Sequence, residues 1–136
     1  MGSKNRINLG IIASFIIHFH RNFYKKNKIY MSKRVLLKIK EKHNDVAIYS
    51  ENKSFQYLMN NTIASCDYSK CQDTINFISY VDNYFILYAL KKENNHTSCT
   101  TIYRLKPRAL KQHYKQESFK IIKKEYEEII KDYLAS

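Results

Sequence analysis

The chain has 136 residues, of which 44% are hydrophobic and 14% aromatic, and it carries a formal net charge of +12. This length and hydrophobic content predict a single folded domain over residues 1–136 and exclude a disordered tail. Three cysteines are too few for a disulfide framework, and two glycines with one proline leave few tight turns, which favours long elements over a many-turned sandwich.

Positive charge is concentrated at both ends of the chain. Residues 1–53 hold 12 Lys/Arg against 3 Asp/Glu, residues 54–90 hold 1 against 3, and residues 91–136 hold 11 against 6. If both ends meet in the fold, they form one cationic surface, and a nucleic-acid backbone is the partner that such a surface attracts.

The chain opens with a short basic segment, residues 1–6, and an apolar run over residues 9–19. Apolar side chains recur at helical spacing past the end of this run, so we expect an amphipathic helix over residues 9–26 that packs on a sheet. The apolar run is too short to span a bilayer, so we expect no membrane span. The alternative is a removable leader over residues 1–31, or a start of translation at Met31.

Aliphatic and cationic side chains alternate over residues 33–42. Because successive strand residues point to opposite faces, this alternation predicts a β-strand with Val35, Leu37 and Ile39 in the core and a cationic row outside. Outward lysines that serve only solubility are the alternative. The residues predicted to contact RNA phosphates are Lys33, Arg34, Lys38, Lys40 and Lys42, with Arg104, Lys106 and Arg108 near the other end of the sheet.

The rest of the chain predicts further strands and a last helix. Residues 59–74 are polar and are predicted to form a variable loop, and residues 110–134 are predicted to form one amphipathic helix. Extended segments are expected over 46–49, 54–58, 75–81, 84–91 and 99–104.

This order of elements predicts an α+β fold of the α-β-β-β-α kind. Both terminal helices are expected on one face of an antiparallel sheet, and the other face is expected to be open and basic. The apolar strand over 84–91 predicts a dimer, because a strand with so little charge needs a cover. The residues expected to be buried together are Phe15, Phe19, Val35, Leu37, Phe119 and Ile122.

No catalytic motif stands out in the chain. There is no glycine-rich phosphate loop, nucleophile elbow or paired histidine motif, so we expect no enzyme and no cofactor. Most of the twelve tyrosines are expected to pack in the core, with base stacking as the alternative. Four zinc-type ligands, Cys66, Cys71, His96 and Cys99, are more simply explained as buried small residues and a surface histidine.

Two parts of the chain resemble a known family. The predicted first helix ends in Asn22-Phe23-Tyr24, and after a polar turn comes the cationic segment of residues 33–40. This start resembles that of the 9 kDa and 14 kDa subunits of the signal recognition particle. Residues 84–91, a polar loop and the last helix are similar to the family's third strand and second helix.

The resemblance, over residues 12–42 and 84–134, implies an α-β-β-β-α fold and a non-catalytic role in a cytoplasmic ribonucleoprotein. It implies that two related subunits pair through their sheets, clasp the Alu portion of the particle's RNA and act on the ribosome indirectly. Arg34, Lys38 and Lys40 match the family's cationic positions on the first strand. The long middle segment, residues 43–83, departs from the family's pattern.

Two other functions remain open at the level of sequence. The first is a secreted or organelle-targeted small α+β protein whose leader is removed. The second is a protein-interaction adaptor that uses the exposed sheet for a partner chain and binds no nucleic acid.

Overall fold

The computed structural model describes residues 29–68, 73–93 and 96–136. The helix predicted over residues 9–26, and with it the leader alternative, lies outside these residues. In the described part, helices precede and follow a five-stranded antiparallel sheet, which confirms the predicted α+β class.

The segment predicted as a basic strand is a helix, α1, Lys33–Lys42. The hydroxyl of Ser32 caps it by accepting a hydrogen bond of 3.1 Å from the backbone N–H of Val35. Val35 and Ile39, four residues apart, turn toward the core, while Leu37 stays 56% exposed. The strand prediction was wrong because the alternation hid a helical pair, and lysine, arginine, leucine and glutamate all favour a helix.

A 3₁₀ helix, Asn44–Ser50, and a second α-helix, α2, Asn52–Asn60, follow α1. Both occupy segments that were predicted to be extended. In α2 the side chains of Phe55, Leu58 and Met59 are buried, at the i, i+3, i+4 spacing of a helix that packs along one side. Packing against the sheet therefore decides the conformation of these segments.

The sheet has the strand order β4-β3-β2-β1-β5, and every neighbouring pair is antiparallel. The strands predicted over 75–81, 84–91 and 99–104 are confirmed as β2, β3 and β4. The variable loop predicted over 59–74 is wrong where it contains β1, whose side chains, apart from that of Ile63, are small or polar yet mostly buried. The strands are β1 (Thr62–Asp67), β2 (Thr74–Val81), β3 (Tyr84–Lys92), β4 (Thr97–Arg104) and β5 (Lys120–Ile121).

A two-residue turn joins β2 to β3. Asp82 and Asn83 have φ values of 52° and 68°, the left-handed conformations that a tight hairpin turn of this length requires. The hydroxyl of Tyr49 donates a hydrogen bond of 2.8 Å to the Asp82 carboxylate. This contact joins the first 3₁₀ helix to the hairpin turn.

The chain beyond β4 forms two helices instead of the one predicted over 110–134. Helix α3, Pro107–Tyr114, starts with its proline in the first turn, where the missing N–H costs nothing. The chain then pairs with β1 through β5, passes through a 3₁₀ turn, Lys124–Tyr126, and enters helix α4, Glu127–Leu134. The single-helix prediction was wrong because pairing with β1 interrupts the apolar spacing.

Side chains pack in two cores, one on each face of the sheet. On the first face, α1, the first 3₁₀ helix and α2 enclose a core that includes Phe77 and Tyr88. On the second face, α3 and α4 enclose a core that includes Phe85, Leu110 and Ile130. Helices therefore pack on both faces of the described sheet, which corrects the expectation that one face is open and basic, while the face taken by the helix predicted over 9–26 lies outside the described residues.

The expected set of buried residues is divided by this arrangement. Phe15 and Phe19 lie outside the described residues, and Leu37 is exposed. Phe119 packs against the second core and Ile122 against the first. Since β3 is buried from Phe85 to Leu90, it offers no uncovered apolar strand for a dimer partner.

Candidate nucleic-acid interface

Helices α3 and α4 cover only part of the second face, and the rest of that face is the floor of an open cleft of about 690 Å³. This volume lies in the range of small-molecule sites. The cleft is lined from the sheet by Asp67, Tyr68, Thr74, Asn76, Leu87, Ala89, Lys91, Thr100, Thr101 and Tyr103, and from the helical segments by Lys38, His43, His113 and Gln116.

The floor of the cleft is polar because β2 changes character along one face. Thr74 and Asn76 point to the second face near one end of the strand. Ile78 points to the same face further along and packs in the second core. Beside Asn76, the small side chain of Ala89 leaves room above the sheet. The polar pair and the alanine therefore open the cleft next to a packed core.

The first wall comes from α1 and the residue that ends it. His43 caps α1, with its backbone N–H bonded to the carbonyl of Ile39. The ring centroids of His43 and Tyr103 lie 5.5 Å apart at an interplanar angle of 36°. Burial raises the pKa of Tyr103, so its hydroxyl stays protonated at neutral pH. Together the two rings form an aromatic surface that borders the cleft.

The opposite wall comes from α3. His113 places its Nδ1 atom 3.6 Å from the Sγ atom of Cys66. Burial lowers the pKa of His113 and raises the pKa of the Cys66 thiol to about 11, so both groups are neutral at pH 7. A nucleophilic cysteine needs the opposite shift, toward a thiolate, so this pair does not have the electrostatics of a cysteine nucleophile.

A row of cations runs along α1 beside the cleft. Arg34, Lys38 and Lys42 are spaced four residues apart, so they lie on one side of the helix, and we call them the α1 ridge. Lys33 and Lys40, seven apart, lie on another side. Among the described residues, an ion pair of 3.7 Å joins Lys131 to Glu127, away from the ridge. Two carboxylates lie near Lys38, since Glu41 is three residues further along α1 and Asp67 lines the same cleft.

The charges at the two helix starts work against helix stability. The first turn of α1 contains Lys33 and Arg34 and no acidic residue. Helix α3 likewise follows Lys106, contains Arg108 and has no acid in its first turn. Cations near a helix N-terminus oppose the helix dipole, so stability does not explain these charges.

The structure distributes the eight predicted phosphate contacts over separate places. Lys38 lines the cleft, Arg34 and Lys42 extend its row, and Lys33 and Lys40 lie elsewhere on the helix. Arg104 lies 4.0 Å from the ring centroid of Tyr84 at the β2–β3 hairpin end, and Lys106 and Arg108 stand at the start of α3. The continuous cationic strand is therefore wrong, and the contacts with RNA stay a prediction.

The sequence reasoning missed most of the cleft. Asn76, Lys91, Tyr103, His43 and His113 come from different elements, so no local spacing connects them. One signal was available, because polar side chains at alternate positions of the otherwise apolar β2 indicate that this end of one face is not in a core.

The four zinc-type ligands do not gather in the part of the chain that the structure describes. Cys66 contacts His113 on the second face, while Cys99 belongs to the first core. No group of three or more His, Cys, Asp or Glu residues suited to a metal ion occurs within the described ranges. Cys71 lies outside them.

None of the helices between residues 29 and 136 that the structure describes has the length and hydropathy needed to cross a membrane. Comparisons of the chain with protein-family models, with curated proteins and with solved structures gave no match.

Proposed function

We propose that this chain is a non-catalytic RNA-binding module that contacts a phosphate backbone through the α1 ridge. The observation that carries the proposal is the row of three exposed cations, spaced four residues apart along one side of α1. Phosphates neutralise such a row and release its counterions, which supplies binding free energy that does not depend on sequence. The helix dipole opposes Arg34 in the first turn, which supports a selected function for that charge, whereas Lys42 lies in the last turn, where the dipole favours a cation.

The target class is structured RNA in a ribonucleoprotein, which the resemblance to the signal recognition particle subunits implies. Two features that carried this resemblance differ in the structure, since residues 33–40 lie in a helix and two helices replace the single last helix. A cytoplasmic location is part of the proposal, supported by two buried free thiols, Cys66 and Cys99, of the kind found in reducing compartments. Pairing of sheets with a related subunit has weaker support, because helices pack on both faces of the described sheet.

The experiment measures the affinity of the full chain for a structured RNA by fluorescence anisotropy over a series of salt concentrations. Arg34→Gln and Lys42→Gln should each reduce the slope of log affinity against log salt by about 0.7 to 0.9, the loss of one phosphate contact. Lys40→Gln is the matched control, since it removes the same charge from another side of the same helix.

Equal slopes for the ridge variants, the control and the parent would overturn the proposed docking side. A parent chain whose affinity for RNA is absent or insensitive to salt would overturn RNA binding itself.

A further inference from the structure

We propose that the cleft accepts one unpaired nucleotide of the bound RNA, with its base against Tyr103 and its phosphate near Lys38 and Lys91. This inference rests on the proposed function and names the part of the RNA that the site takes. Tyr103 lies on β4, Lys91 on β3 and Lys38 on α1, and of these three only Lys38 belongs to the α1 ridge.

The shape of the cleft favours an unpaired nucleotide over a duplex. The sheet closes the floor and helical segments stand on two sides, so the space of about 690 Å³ suits one small occupant. A double helix is far too wide to reach the floor. Proteins that read RNA by sequence take unpaired bases out of loops and bulges, where the faces and edges of the bases are free.

The chemistry of the lining matches a nucleobase. Tyr103 offers an aromatic ring beside that of His43. Any of the four bases can stack on such a ring, because each has an aromatic face. Asn76, on the floor, carries donors and an acceptor in its amide, of which one group is hydrogen-bonded to the Cys66 thiol, and Thr101 adds a hydroxyl group. Ala89 leaves the centre of the floor free of side-chain bulk.

The charge of the lining matches a phosphate. Two lysines, Lys38 and Lys91, face one carboxylate, Asp67, so the site favours an anion over a cation. Because Lys38 belongs to both the α1 ridge and the cleft, a backbone that follows the ridge reaches the cleft without a break. That continuity distinguishes an RNA strand from an unattached small anion.

The test compares two RNAs that share one stem. One is a blunt duplex, and the other carries a single bulged 2-aminopurine, whose fluorescence reports stacking. The full chain should bind the bulged RNA more tightly and change its fluorescence. Tyr103→Leu should weaken binding of the bulged RNA by about 5- to 150-fold, the range measured for loss of one stacked base, and leave duplex binding unchanged.

The matched control is Tyr57→Leu, which removes a 48% exposed tyrosine from α2 on the first face of the sheet. Lys91→Gln serves as a second variant if Tyr103→Leu does not fold. It should reduce the salt slope for the bulged RNA and not for the duplex.

Four results would overturn the proposal. Equal binding of both RNAs by the parent, or equal affinity of the Tyr103→Leu and Tyr57→Leu variants for the bulged RNA, overturns the cleft site and leaves the α1 ridge standing. In the third, polyglutamate competes with the bulged RNA and reverses its fluorescence change. If the Tyr103→Leu variant then loses binding of the peptide but not of the RNA, the cleft is a protein-binding site. Absence of binding to either RNA overturns the proposed function as well.

Discussion

The hydroxyl of Thr62 connects α2 to the sheet inside the first core. It donates a hydrogen bond of 2.7 Å to the carbonyl of Met59 and lies 2.7 Å from the hydroxyl of Tyr88. Because a hydroxyl has one proton, Tyr88 must donate to Thr62. Ser79 donates in the same way to the carbonyl of Leu58 at 2.6 Å. The last carbonyls of α2 are thus satisfied by the sheet.

Thr62→Val should lower the free energy of unfolding by about 1 to 3 kcal/mol, because it removes a buried hydroxyl that both donates and accepts. Thr62→Ser keeps the hydroxyl and loses only a methyl group, so it should cost less. Urea denaturation of both variants measures the difference. If the valine variant is as stable as the parent, the hydroxyl contributes nothing to stability.

Ser65 presents the opposite case. Its Oγ atom is buried and has no hydrogen-bond partner among the described residues. A buried hydroxyl without a partner is destabilising, so Ser65→Ala should leave the free energy of unfolding unchanged or raise it by about 1 kcal/mol. A thermal melt compares the two chains. A clear loss of stability in the alanine variant would reveal a bridging water at this hydroxyl.

At the scale of elements, the burial of Leu37 and Ile39 shows whether residues 33–42 form a helix or a strand. Ile39 is fully buried and Leu37 is 56% exposed, whereas a strand would bury both. Ile39→Ala should therefore cost about 2 to 5 kcal/mol in the free energy of unfolding, through lost burial and a cavity.

Leu37→Ala is the control for that measurement, and it should change stability by less than about 0.5 kcal/mol, as exposed substitutions do. Denaturant titration of both variants gives the comparison. Similar losses at the two positions would contradict the helix and favour the strand.

The sequence predicted correctly those elements whose local residue pattern is compatible with only one type of secondary structure. The apolar runs of β2 and β3 suit only a central strand, and the polar turn at Asp82 and Asn83 separates them. In α1 two periodicities competed, and both bury Ile39, so the exposure of Leu37 is what distinguishes the helix from the strand. After α3, the pairing of Ile121 with Ala64 depends on residues far apart in the chain, so no local pattern showed it.

The candidate site was less predictable than the fold for the same reason. Arg34 and Lys38 were predicted from charge, from the alternation over residues 33–42 and from the family resemblance, all of which are visible in a sequence. The distance between His43 and Tyr103, or between His113 and Cys66, arises only when α1, β4, α3 and β1 have assembled.

For the whole molecule, two buried cysteines and the partly exposed Tyr49 make stability decrease at alkaline pH. The pKa values of Cys66, Cys99 and Tyr49 are raised to about 11, 12 and 12 respectively. Burial is the main cause for each, and for Tyr49 the hydrogen bond to Asp82 adds to it. In the unfolded chain these groups lose their protons near their ordinary values, 9.0 for cysteine and 10.0 for tyrosine.

The folded state thus holds these protons more tightly, so their contribution to stability is complete below about pH 9 and is lost as pH rises through 11 and 12. The urea midpoint should fall between pH 8 and pH 10. A Cys66→Ala/Tyr49→Phe double variant should show a smaller fall. An identical fall in both chains would mean that other groups cause it.

The walls of the cleft come from opposite ends of the described chain, since α1 precedes the first four strands and α3 follows them. The cleft therefore exists only when both flanking segments have docked on the sheet, and a partially folded chain has no such site. By mass action, any occupant then stabilises the complete fold, by about 2.7 kcal/mol at a concentration one hundred times its dissociation constant. Binding in the cleft and folding of the chain are therefore coupled, so a rise in melting temperature on addition of a ligand reports that the cleft is occupied.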